Sequence, residues 1–165
     1  MTFRFPTSWG DGWLRLEGSS VVELHPPGSA VPGVAHSIET APEQVRELGD
    51  QLARYFDGDD VEFVDRDTLR RWLDDAGVAG FRRDALLALF DVPFGMTVTY
   101  GELAELGGRS RAVRAVGSAC ANNPLPIIVP CHRVLPASRK VGNYGSLGSD
   151  YKLRLLELER LAIAR

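Results

Sequence analysis

Apolar residues recur with a strand-like period near the start of the chain and a helix-like period through most of the rest. Trp13-Leu14-Arg15-Leu16-Glu17 and Val21-Val22-Glu23-Leu24 alternate as half-buried strands do, with Gly18-Ser19-Ser20 between them. A loop rich in proline and glycine occupies residues 26–33. Over 42–56 the spacing of Val45, Leu48, Leu52 and Phe56 predicts a helix with one buried face. A second, more polar helix is expected over 65–76, ending at Gly77. Gly77-Val78-Ala79-Gly80 reads as a linker of small residues. Beyond it Phe81, Ala85, Leu86, Leu89 and Phe90 form an apolar stripe that Pro93-Phe94-Gly95 stops. Thr99-Tyr100-Gly101-Glu102 fits a capping box and starts a short helix through Leu106, broken at Gly107-Gly108. Ser110 is the expected cap of a further helix over 111–121. Two short helices around a glycine turn outline a helix-turn-helix. Residues 125–129 (Leu-Pro-Ile-Ile-Val) read as a short buried extended run. The fold class is therefore α+β: an N-terminal α/β domain over 1–76, a linker at 77–80, and a mostly helical domain over 81–165.

Composition narrows the setting. The 165 residues are 44% hydrophobic, enough for one large core or two small ones. No run approaches the eighteen or so apolar residues of a membrane helix, and the first residues lack a secretory signal's apolar stretch. Only Cys120 and Cys131 could pair, and nothing else suggests a disulfide-stapled secreted fold, so free thiols in a reducing cytoplasm are expected. Residues 1–90 hold 9 basic and 16 acidic side chains, whereas residues 91–165 hold 10 and 6. A polyanion, if bound, would meet the second half. Of the 19 basic residues only Lys140 and Lys152 are lysine.

The helix over 111–121 alternates arginine with very small side chains: Arg111-Ala112-Val113-Arg114-Ala115-Val116-Gly117. Small residues allow close approach to another surface, either a neighbouring helix or a nucleic-acid groove, while arginines reach phosphates or bases. Downstream, Pro130-Cys131-His132-Arg133-Val134 puts a cysteine beside a histidine on an apolar stalk. That pattern suits an activated thiolate with a bridging water to the imidazole, although a buried cysteine is more often simple packing. His25 and His36 have no cysteine partners, so no metal site is expected.

Taken together, Pro130-Cys131-His132-Arg133-Val134, Pro93-Phe94-Gly95 with Thr97-Val98-Thr99-Tyr100, Arg114-Ala115-Val116-Gly117, Asn123-Pro124, Gly142-Asn143-Tyr144 and Leu155-Leu156-Glu157-Leu158-Glu159 resemble the O6-alkylguanine-DNA alkyltransferases (methylated-DNA–protein-cysteine S-methyltransferases). The resemblance covers most of 81–159, while residues 1–76 match the family's small N-terminal ribonuclease-H-like domain only in length and strand-helix content. It implies irreversible, single-turnover transfer of an alkyl group from guanine O6 to Cys131, without a cofactor. His132 would take the thiol proton through water, Glu159 (or Glu157 close by) would orient the histidine, Asn123 would tie the helix to the active segment, and Tyr100 would donate to guanine N3. Val134, Tyr144, Gly145 and Ser146 would line the substrate pocket, with the Cys131 and Val134 carbonyls accepting from the exocyclic amine and the Gly145 N–H reaching O6. Arg114, Ala112, Ala115, Gly117 and Arg133 would contact double-stranded DNA through its minor groove, Arg114 filling the gap left by a flipped base. A cytoplasmic monomer with no membrane association is expected. The loop after Tyr144 departs from the family's paired glycines, reading Gly145-Ser146-Leu147-Gly148. Three rival readings are a non-catalytic alkyltransferase-like damage binder, a cysteine hydrolase and a helix-turn-helix regulator.

Overall fold

A computed structural model of the chain describes residues 1–30 and 33–165; Val31 and Pro32, in the proline- and glycine-rich loop, lie outside the described residues. Strands β1 (Thr2–Thr7), β2 (Gly10–Glu17), β3 (Ser20–His25) and β4 (His36–Ser37) form a sheet of order β3-β2-β1-β4. The first three are antiparallel, and β4 runs parallel to β1. Phe3 pairs with Leu14 and Leu14 with Leu24, so one face carries a continuous apolar row. Phe5 lies across Gly12, where a Cβ would come within 2.2 Å of its ring. That contact explains a glycine in mid-strand.

Helices α1 (Glu43–Phe56) and α2 (Arg66–Asp75) follow. The α1 stripe of Val45, Leu48, Leu52 and Phe56 is buried, and Tyr55 is buried with it. The Asp65 side chain caps α2 by accepting from Thr68 N–H at 2.8 Å. Residues 77–80 do not form a loose connection: Val78 is buried, its N–H bonds to the Leu73 carbonyl at 2.9 Å, and Gly80 already opens α3 (Gly80–Phe90). One hydrophobic core runs from Phe3 to Leu155 through both halves of the chain.

Strand β5 (Val98–Thr99) leads into α4 (Tyr100–Leu106), with the Thr99 hydroxyl accepting from Glu102 N–H at 3.1 Å. Helix α5 (Val113–Ala121) starts two residues later than expected, and Ala112 rather than Ser110 precedes it without a side-chain cap. Residues 125–129 turn instead of running extended. Ile127 has φ +76°, and Val129 N–H returns to the Leu125 carbonyl at 2.9 Å. A 3-10 turn at Cys131–Arg133 and strand β6 (Val134–Leu135) come next, and the long helix α6 (Gly148–Ile163) packs against that turn. No helix among the described residues is long and apolar enough to cross a membrane.

Candidate active site

β5 and β6 pair in parallel, Val98 with Val134 and Thr99 with Leu135. This two-rung ladder sets Tyr100, at the start of α4, in register with the turn that carries Cys131. Asn123 braces the same turn from the end of α5: its amide donates to the Val129 carbonyl at 2.9 Å, and its oxygen accepts from Leu125 N–H at 3.0 Å. Lys152 of α6, almost wholly buried, donates to the Val134 carbonyl at 2.6 Å. Cys131 and Tyr100 thus open onto one cavity of about 750 Å³, together with Gly117, Tyr144, Gly145 and Ser146.

Behind the cysteine lies a buried polar network. His132 has no exposed surface, and its Nε2 bonds to Glu159 Oε2 of α6. The same Glu159 oxygen accepts from the Tyr55 hydroxyl of α1 at 2.6 Å. Its other oxygen accepts from Arg133 Nε at 2.8 Å and from Gly95 N–H at 2.9 Å. Gly95 is at φ +78°, in the left-handed region that favours glycine, and that backbone conformation delivers its N–H to Glu159. Burial alone would raise the Glu159 carboxyl, but the His132 bond and charge, the Arg133 charge and the Tyr55 hydroxyl hold it well below the usual range. Burial keeps His132 below the ordinary histidine value despite the pull of Glu159.

Burial also raises the Cys131 thiol, outweighing the lowering effects of Asn123, Tyr144 and the Lys152 charge. Burial therefore favours the neutral thiol of Cys131 and the neutral imidazole of His132. Activation must come from proton transfer. His132 Nδ1, buried with no hydrogen-bond partner among the described residues, is the ring atom free to receive that proton.

Residues 80–161 match the family model for the DNA-binding domain of 6-O-methylguanine DNA methyltransferase. A methylated-DNA–protein-cysteine methyltransferase of Mycolicibacterium paratuberculosis is 45% identical over 111 residues, 67% of this chain and 62% of the relative. The equivalent protein of Methanosarcina acetivorans is 42% identical over 118 residues, covering 69% of this chain and 68% of the relative. The crystal structure of Mycobacterium tuberculosis OGT in complex with DNA superposes with a TM-score of 0.75 at 33% identity, covering 98% of this chain and 93% of that one.

The chain belongs to the O6-methylguanine-DNA methyltransferase family.

Within this methyltransferase fold the structure separates the two glutamates. Glu159 is buried on His132, whereas Glu157 is exposed and pairs with Arg160 at 2.6 Å. Arg133, expected among the DNA contacts, requires correction. It is buried, paired with Glu159 and donating to the Val92 carbonyl at 2.7 Å, so its guanidinium is held inside the protein. The Val134 carbonyl, expected to accept from guanine, already accepts from Lys152 and has one lone pair left. On α5, Arg114 is exposed while Ala112, Ala115 and Gly117 are half-buried, and no atom lies within 4 Å of where a Gly117 Cβ would be.

Sequence reasoning missed Tyr55 and Lys152. Tyr55 stands three residues after Leu52 on the α1 stripe, and a buried tyrosine needs a partner for its hydroxyl. Lys152 shares a face of α6 with Leu155 and Glu159, an unusual place for a lysine. The N-terminal half also contributes cavity wall through Glu23, His25 and Pro26, and Leu24 N–H bonds to the Pro124 carbonyl at 2.8 Å.

Proposed function

We propose that this protein repairs DNA by direct reversal, moving an alkyl group from guanine O6 to Cys131. The observation that carries the reading is a cysteine on the wall of a cavity of about 750 Å³, roomy enough for a base, next in sequence to His132, which is buried on Glu159 with its Nδ1 unpartnered among the described residues. His132 takes the thiol proton, and the thiolate attacks the alkyl carbon. The S–C bond forms as the C–O6 bond breaks, and its electron pair leaves with the purine. The Tyr100 hydroxyl donates a hydrogen bond to N3, the departing purine anion takes a proton from water, and His132 releases the thiol proton to solvent. Donation from Gly145 N–H to O6 eases that departure. A thioether has no good leaving group, so each molecule reacts once.

A duplex hides O6 from such a cavity, so the base must be flipped out. Helices α4 and α5 serve as the helix-turn-helix, with Ala112, Ala115 and Gly117 giving α5 the low profile needed in the minor groove. Arg114 fills the vacated place. The protein acts as a monomer in a reducing, cytoplasmic setting, with the sheet, α1 and α2 as a ribonuclease-H-like N-terminal domain over 1–76.

Intact-protein mass after mixing with duplex DNA containing O6-methylguanine tests this reading. A gain of about 14 Da on Cys131, capped at one equivalent, is expected. Tight binding without a mass change would identify a non-catalytic damage binder instead, and repeated turnover a hydrolase.

Arg114→Ala separates base flipping from chemistry. Losing a contact worth about 1–3 kcal/mol should slow repair in duplex DNA on the order of ten- to a hundredfold. Reaction with free O6-benzylguanine, which has no stack to open, should be nearly unchanged. Equal slowing of both in single-turnover assays would assign Arg114 to the fold rather than to the duplex.

A further inference from the structure

The N-terminal half reaches the His132–Glu159 pair through the side chain of Tyr55. Tyr55 lies on α1, 77 residues from His132 and 104 from Glu159, yet its hydroxyl is 3.1 Å from His132 Nε2 and 2.6 Å from Glu159 Oε2. We propose that Tyr55 is a positioning residue for alkyl transfer, fixing the Glu159 carboxylate against His132 Nε2 so that the imidazole keeps its lone pair on Nδ1. This inference rests on the alkyltransferase reading above.

The hydrogen count supports it. A tyrosine hydroxyl has one hydrogen, and the shorter contact assigns it to Glu159. Glu159, ionised and held by Arg133 and Gly95 N–H through its other oxygen, can only accept. His132 Nε2 must therefore carry a hydrogen, directed at Glu159 Oε2 with the Tyr55 oxygen alongside. The basic lone pair is left on Nδ1, the atom without a partner. Tyr55 also draws charge from the oxygen that would otherwise stabilise an imidazolium most strongly. That adds to burial, which already lowers the His132 pKa, in favouring the neutral ring.

Aromatic packing holds Tyr55 in place. Its ring meets Phe56, Phe63 and Phe94 as well as His132. The other polar or charged groups around His132 are Arg133 beside it, Lys152 and Glu159 from α6, and Tyr144 from the loop before that helix. Lys152 and Arg133 both oppose a charge on the ring, and only Glu159 favours one. Weakening Tyr55's hold on Glu159 therefore has a definite sign.

Tyr55→Phe keeps the ring and removes the hydroxyl. Its His132 should titrate higher than in the natural protein, by about half a unit to one unit, as read from imidazole nitrogen shifts by NMR. The acid limb of the single-turnover rate should move up with it, and the rate near neutral pH should fall on the order of three- to tenfold as the carboxylate and ring lose alignment. A 3-fluorotyrosine placed at 55 keeps the hydroxyl and makes it a stronger donor, so it should move the titration the other way. It also serves if the phenylalanine variant folds poorly. Opposite shifts in the two proteins are not expected of a residue that merely fills space. Unchanged titration in both would overturn the proposal. The NMR measurement needs no DNA, so it stands apart from the mass assay: a natural protein that gains no mass refutes the alkyltransferase reading, whereas a reactive protein with an unmoved His132 refutes only the role of Tyr55.

Discussion

Cys131→Ser is expected to abolish alkyl transfer completely while leaving DNA binding in place. A serine hydroxyl is a far weaker nucleophile than a thiolate, and a buried imidazole cannot ionise it at neutral pH. The substitution is nearly isosteric, so the cavity and the brace from Asn123 should persist. Cys120 supplies the internal control. It lines the same cavity, but burial pushes its thiol up to about 12. Its next residue is Ala121 rather than a histidine. Cys120→Ser should therefore react like the natural protein. Intact mass after exposure to methylated duplex, with peptide mapping of the modified site, checks both variants. A methyl group on the Cys131→Ser protein would place the acceptor elsewhere and end the case for Cys131.

Glu159→Gln is expected to cost about 3–5 kcal/mol of stability, because it leaves the buried Arg133 guanidinium without its counter-charge. Geometry adds to the loss. The carboxylate accepts on both oxygens, from His132 and Tyr55 on one side and from Arg133 and Gly95 N–H on the other. An amide has one oxygen and one NH2, so either orientation sets donor against donor. Urea unfolding should show a lower midpoint with a similar slope. The pH dependence has a definite direction. Glu159 is held below its unfolded value, so its contribution is full above the ordinary glutamate range near about 4.3 and is lost as pH falls toward the folded value. The gap between the two proteins should be widest at neutral pH and narrow on acidification. A constant gap from pH 7 to pH 3 would mean that the charge of Glu159 contributes nothing to stability.

Much of the fold could be read locally: the spacing of apolar residues announces α1 to α3, and the capping box announces α4. Strand β1 could not. Phe3 and Phe5 alternate, but the run ends in Pro6 after a few residues, and its identity depends on pairing with β2. Residues 125–129 misled for a different reason. A run of apolar residues between prolines reads as extended, and nothing local reveals that Ile127 adopts a positive φ to bring Val129 back to Leu125. In the site, Cys131 and His132 were legible as neighbours in the chain, and Asn123 only through the resemblance to the family. Glu159 was legible only as one of two glutamates, and burial on His132 distinguishes it. Arg133 was placed among the DNA contacts by the resemblance, and only the position of α6 reveals its partner. Tyr55 was invisible as chemistry because a tyrosine among leucines looks like core.

The separation of these partners along the chain bears on how the protein is made. Cys131 and His132 lie in one short turn, but the groups that orient the histidine come from 77 residues upstream and 27 residues downstream. Contacts of that span form late, after local helices have appeared and the core has closed around them. Until α1 and α6 have both docked, the imidazole has no fixed orientation and the thiol no organised acceptor for its proton. On the alkyltransferase reading, the protein would thus gain its single-use reactivity in the last stages of folding, and an incompletely folded chain would carry its cysteine as an ordinary, sluggish thiol.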